Sequence, residues 1–247
     1  MISKEKQKYI RNLHSKKWRQ NEGKFLVEGW KSVEELLTSD FNILNLYITR
    51  KFFEKYAELL QWKEYVICEP EDIEKSSTLH ANDMALAIVE QKYVDITEVD
   101  YENYSLVLDT MNDPWNFWTI LRIADWYGIK QVICSRETVE LYNPKVIIAS
   151  MGSFTRMKVI STDLTEFLEN TQLPIYWAYL DGENVHTKEF TPTGHIVIWN
   201  ESHGISEELE KYITHKITIP KFGWAESLNA WVATAVILDN VMRNINK

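Results

Sequence analysis

Glycine is scarce in this sequence. The 247 residues include 8 glycines, where average usage of about 7% would give roughly 17. Tryptophan outnumbers it, at 10. Few loop positions are therefore free to take left-handed backbone or let a ligand approach closely. Cysteine is limited to Cys68 and Cys134, which excludes a disulfide framework and zinc-ligand spacing. A reducing cytoplasm is the expected location. No apolar run reaches the ~18 residues that suggest a membrane span. The opening MISKEKQKYIRNLHSKKWRQ is too polar for a signal peptide. No G-x-G-x-x-G follows a strand-like run, which argues against an NAD-dependent enzyme. His14, His80, His186, His195, His203 and His215 have no metal spacing, so no metal is expected and they read as surface or core residues. Internal repeats and low-complexity segments are absent as well.

What remains is an ordinary globular composition, 45% hydrophobic and 26% charged. It is long enough for one large domain or two small ones. The net charge of −9 argues mildly against a nucleic-acid partner, but its distribution is uneven. Lys4, Lys6, Lys8, Arg11, Lys16, Lys17, Arg19 and Lys24 against Glu5 and Glu22 leave residues 1–24 at +6 and the rest at −15. Such a segment is either a solvated basic helix or a phosphate-contacting one.

Apolar periodicity switches between short strand-like runs and helical ones. LNLYIT, YVICEP (65–70) and MALAIVEQ (84–91) read as strands, with SVEELLTS and FEKYAELLQW as helices between them. The polar stretch 93–103 reads as a linker. Beyond it come strands at 104–110, 130–135, 173–180 and 195–201, and helices at 118–129 and about 226–244. This alternation implies a largely parallel sheet with helices on both faces, an α/β fold. The expected division is 1–92, a linker at 93–103, and 104–247.

Three stretches carry a resemblance: LVLDTMNDPWNFWTILRIADWYGI (106–129), HIVIWNESHGIS (195–206) and ITIPKFGWAESLNAWVATAVILDN (217–240). Their order and spacing resemble the SpoU/TrmH branch of the SPOUT RNA 2′-O-ribose methyltransferases. LYNPKVIIASMGSFTRMKV (141–159) fits another stretch of that family. The first half, with NEGKFLVEGWKSVEELL (21–37), resembles the family's smaller L30e-like α/β substrate-binding domain. The resemblance implies a SPOUT domain threaded as a trefoil knot, which pattern reading alone would never suggest. It also implies S-adenosylmethionine (AdoMet) as cofactor, a ribosomal or transfer RNA substrate, with ribosomal RNA favoured, and a homodimer.

Site residues follow by resemblance. Arg122 is expected to contact RNA phosphate and help activate the 2′-hydroxyl, its donor fork suiting two phosphate oxygens; a surface arginine capped by Asp125 is the plainer reading. Asn116, read as preceding the helix, would orient Arg122 or the ribose, or simply cap the helix. Glu201 would help hold the site together, or be a surface-loop acid. Ser227 and Asn229 would bond backbone and ligand, or form a capping box. Trp199, Ile219 and Leu228 match the positions whose backbone groups hold the cofactor.

The sequence departs from the family's pattern where that pattern has glycine: Trp115, Trp118, Trp199 and Ser202 stand there, and Trp177 and Trp231 replace small residues. An indole can bury roughly 150–250 Å², so it is expected to fill or obstruct the cofactor pocket. Three readings stay open: an RNA-binding homologue impaired in methyl transfer, an active enzyme whose indoles stack on adenine or a base, or a codon read as tryptophan but decoded as glycine.

Overall fold

The computed structural model describes residues 2–77, 79, 82, 84–199 and 206–246. It divides into two compact units, residues 1–92 with 140–156, and 93–139 with 157–247.

In the first unit α1 (Lys4–Asn12) and α2 (Lys16–Glu22) lead into β1 (Lys24–Glu28). Then come α3 (Trp30–Leu37), β2 (Ile43–Ile48), α4 (Arg50–Tyr56), β3 (Val66–Ile67), α5 (Pro70–Ser76) and β4 (Ala85–Glu90). The four strands pair in the order β1-β4-β2-β3. Both β4 ladders are antiparallel and the β2–β3 ladder is parallel. Phe25, Val33, Leu36, Phe52 and Val89, all sequestered from solvent, form the centre of its core. Arg19 is no phosphate-facing cation: it is 2% exposed, donates to the carbonyls of Leu13 and His14, and pairs with Glu140. Lys4, Lys8, Arg11, Lys16 and Lys17 do stay exposed.

The second unit begins with β5 (Ser105–Asp109), α6 (Pro114–Trp126) and β6 (Gln131–Ser135). The chain then leaves it for α7 (Pro144–Ala149) and returns at β7 (Lys158–Thr162). After α8 (Leu164–Asn170), β8 (Ile175–Asn184) and β9 (His195–Trp199) come α9 (Glu207–Glu210), β10 (His215–Thr218) and α10 (Ala230–Ile245). The strand order is β10-β8-β9-β5-β6-β7, and every ladder is parallel. Alternation along the strands sends Val107, Ile133, Ile160 and Val197 to the face covered by Leu164, Phe167 and Leu209 of α8 and α9. α10 packs against α6 and β9.

Three boundaries differ from expectation. α6 starts at Pro114 rather than 118, because Asp113 caps Trp115 N and proline suits the first helical position. α10 starts at Ala230 rather than 226 and is capped by Asn229. Residues 140–156, expected in the second domain, pack in the first unit: the Tyr142 ring lies 4.4 Å from Phe25, and Phe154 meets Phe25 and Phe41. Burying those rings outweighs adjacency in sequence.

Candidate functional site

The C-terminal edge of the parallel sheet is where an α/β fold presents a ligand crevice. A cavity of about 270 Å³ opens there, beyond the ends of β9 and β10. Trp199, Ile219, Leu228 and Ser227 line it together, so the three residues expected to hold the cofactor converge with one expected in catalysis. Tyr179, Lys221 and Glu226 contribute further walls. The volume lies just under the 300–1,000 Å³ usual for small-molecule pockets. Trp199, half-buried, accounts for part of that narrowing: its ring stands edge-on to buried Trp177 at 5.5 Å. Trp177 in turn lies 4.5 Å from Tyr179 and beneath the Lys216 ammonium at 5.2 Å, and its indole N–H has no partner among the described residues. Of the indoles expected to fill or obstruct the pocket, Trp199 lines the cavity. One indole narrows the cavity, and Trp115 and Trp118 sit on α6 outside its lining.

Backbone geometry builds this edge. A Cβ added at Gly182 would lie 2.6 Å from the backbone carbonyl group of Lys216, so only glycine lets β8 pass the irregularity in β10. Asp109, buried at the end of β5, sits opposite Trp199 in the ladder and accepts from Ser206 N at 3.2 Å. The next residue, Thr110, has φ of 52°, a conformation that a β-branched residue rarely adopts. It is tied down by Ser135 Oγ, 2.9 Å from its N–H, and by its own hydroxyl on Asp109.

That turn aims α6. Asn116 lies inside the first turn of α6 rather than before it, so the cap is Asp113 and not Asn116. Arg122 is exposed, its guanidinium 5.5 Å from the Trp118 ring centre, and it forms no ion pair with Asp125 among the described residues. Asn229 caps α10 through Trp231 N at 3.1 Å, half-buried beside the cavity. The capping box is not formed, because the third helical residue is Val232, which has no acceptor. Glu201 and Ser202 lie outside the described residues.

Residues 103–239 match the SpoU rRNA methylase family. The chain belongs to that family. Residues 4–87 match a second model, the MRM3-like substrate binding domain. The chain is 25% identical over 242 residues to the 23S rRNA (guanosine(2553)-2′-O)-methyltransferase of Bacillus subtilis, covering 95% of this chain and 94% of that protein. A solved structure from Porphyromonas gingivalis, assigned to the TrmH family of RNA methyltransferases, superposes with a TM-score of 0.85 at 31% identity, covering 98% and 99% of the two chains. The AdoMet-bound rRNA methyltransferase of Sinorhizobium meliloti has the same fold, with a TM-score of 0.85 at 24% identity over 98% and 97%.

Within this SpoU-family chain, Tyr179 and Glu226 were missed by reading the sequence. Glu226 opens the quoted ESLN stretch, a signal that was available. Tyr179 carries none, being one aromatic among several in β8. Among the described residues no cluster of three or more His, Cys, Asp or Glu could hold a metal, and no helix is long and apolar enough to cross a membrane.

Proposed function

We propose that the chain transfers a methyl group from AdoMet to a ribose 2′-hydroxyl of RNA, ribosomal RNA in preference to transfer RNA. The observation that carries this is the convergence of Trp199, Ile219, Leu228 and Ser227 on one cavity at the sheet edge from which α6 presents Arg122. The cavity's chemistry suits the cofactor. The Tyr179 ring and the aliphatic walls match adenine, the loop backbone at Ile219 and Leu228 offers polar groups, and the Glu226 carboxylate complements a cation. When bound, AdoMet supplies an already activated methyl group. The protein's own work is orientation and handling of one proton. Arg122 grips an RNA phosphate and holds the 2′-hydroxyl beside the cavity, Asn116 steadies that approach, and Ser227 and Asn229 fix the loop leading into α10. Glu201 belongs to the same set by its place after β9.

The reading extends to features that lie further from the site. Threading of the C-terminal part as a trefoil knot belongs to this reading through the family resemblance. The half-buried apolar positions of α10, among them Val232, Val236 and Met242, suit a homodimer interface. Residues 1–92 serve as the RNA-holding domain, and the protein works in the cytoplasm.

Calorimetric titration with AdoMet, followed by transfer of a labelled methyl group to ribosomal RNA and mapping of the blocked 2′-position, tests the reading. Micromolar binding and a mapped ribose methyl are the expected results. AdoMet binding without transfer to any RNA would replace the enzyme with a cofactor-binding relative.

A further inference from the structure

We propose that the exposed face of α6 is a stacking platform for unpaired nucleotides of the RNA substrate, an inference that rests on the methyltransferase reading above. Trp115, Trp118, Arg122 and Trp126 follow one another at steps of three, four and four residues. At about 100° per residue these steps keep all four side chains within one arc of the helix. Trp115 is 62% exposed and Trp126 84%. The rings of Trp115 and Trp118 meet edge to face at 5.2 Å, and the Arg122 guanidinium covers Trp118 at 5.5 Å. This contact fixes Trp118 and leaves the outer indoles open. The contact that Arg122 makes among the described residues is this one with the Trp118 ring.

Large exposed indoles interleaved with an exposed guanidinium suit one class of partner. Each indole offers a π-face to a base, and the guanidinium offers a fork to a phosphate. A protein partner would want aliphatic side chains around the rings, and the stripe has none. Duplex RNA hides its base faces, so this surface selects single-stranded or splayed nucleotides. The stripe begins at the turn beside the cavity and runs roughly 16 Å along the helix at 1.5 Å per residue. Trp115 is the end of the stripe nearest in sequence to the C-terminal end of β5. Sequence preference at this surface is weak, because stacking tolerates every base.

The test uses the full chain and two fluorescein-labelled probes, a single-stranded oligoadenylate of about twelve nucleotides and an RNA duplex of similar length, titrated by anisotropy at several salt concentrations. Trp115→Ala should weaken oligoadenylate binding roughly ten-fold, with the salt dependence unchanged and duplex binding unaffected. Trp115→Tyr should restore most of the affinity. Trp126→Ala should show a smaller loss of the same kind, and Arg122→Ala should lower the salt slope by about one phosphate. Both tryptophans are solvent-facing, so the variants fold. Alanine variants that bind oligoadenylate as the parent does, or a parent that binds only the duplex, overturn the platform and leave the methyltransferase reading standing. A parent that binds neither RNA overturns both.

Discussion

The two edges of the parallel sheet are built in opposite ways. At the N-terminal edge several buried polar side chains close on neighbours. His195, 0% exposed at the start of β9, holds Ser105 Oγ through Nδ1 at 2.5 Å and Thr171 Oγ1 through Nε2 at 2.8 Å. Gln131 at the start of β6 donates to the Asp100 carbonyl and accepts from the Asp100 N–H. Tyr104 donates to the Thr191 carbonyl at 2.7 Å. At the C-terminal edge the same strands end in a cavity, a strained threonine and exposed indoles. One edge is satisfied and sealed; the other keeps surface and hydrogen-bonding capacity for a ligand. Stability and chemistry are thus separable along a strand only five residues long.

If that separation holds, variants at the two edges should fail in different assays. The largest effect belongs to Arg122→Ala, which should lower kcat for methyl transfer by about 10²–10⁴-fold while leaving the melting temperature and AdoMet affinity unchanged; an unchanged rate would remove Arg122 from the reaction. Gly182→Ala forces a Cβ against the Lys216 backbone and should cost about 2–3 kcal/mol in urea unfolding, which would show that part of the open edge is structural. At the sealed edge, burial depresses the pKa of His195 to about 4. The unfolded chain, with an ordinary histidine near 6.5, then takes up a proton that the folded one refuses. Stability should be unaffected above pH 6.5 and fall as pH drops toward 4, by on the order of 2 kcal/mol at pH 5. A His195→Gln variant compared over the same range should lack that component, and a parent whose stability is level from pH 7 to 5 would disprove it. The smallest effect is at the cavity. Trp199→Gly should tighten AdoMet binding about ten-fold by calorimetry, whereas weaker binding would make the indole part of the binding wall. Intact mass of the protein from its own host separates a tryptophan that is made from a codon decoded as glycine.

Much of the sheet was legible because its strands are near-continuous apolar runs: SLVLD, QVICS and HIVIW read as buried strands without help. Helix starts were not. DPWNFW looks like a loop until the aspartate is seen as a cap and the proline as the first helical residue, and ESLN looks like a helix start although only its asparagine caps. Trp199, Ile219 and Leu228 were singled out through resemblance, since they lie in recognisable stretches, and the fold brings them to one cavity. Arg19 was misread as a surface cation, because its burial depends on Glu140, 121 residues away. Tyr179 could not be found, since a strand aromatic facing a cavity and one facing a core have the same period.

The excursion of residues 140–156 into the first unit sets the order in which this chain can become a protein. Phe25 and Phe41 lack Phe154 until residue 154 has left the ribosome, and by then β5, α6 and β6 have already emerged. Domains that lie in sequence order fold one after another during synthesis; these two units must overlap in time. A fragment ending at residue 92 would carry an uncovered aromatic face and is an aggregation hazard rather than a usable half of the molecule.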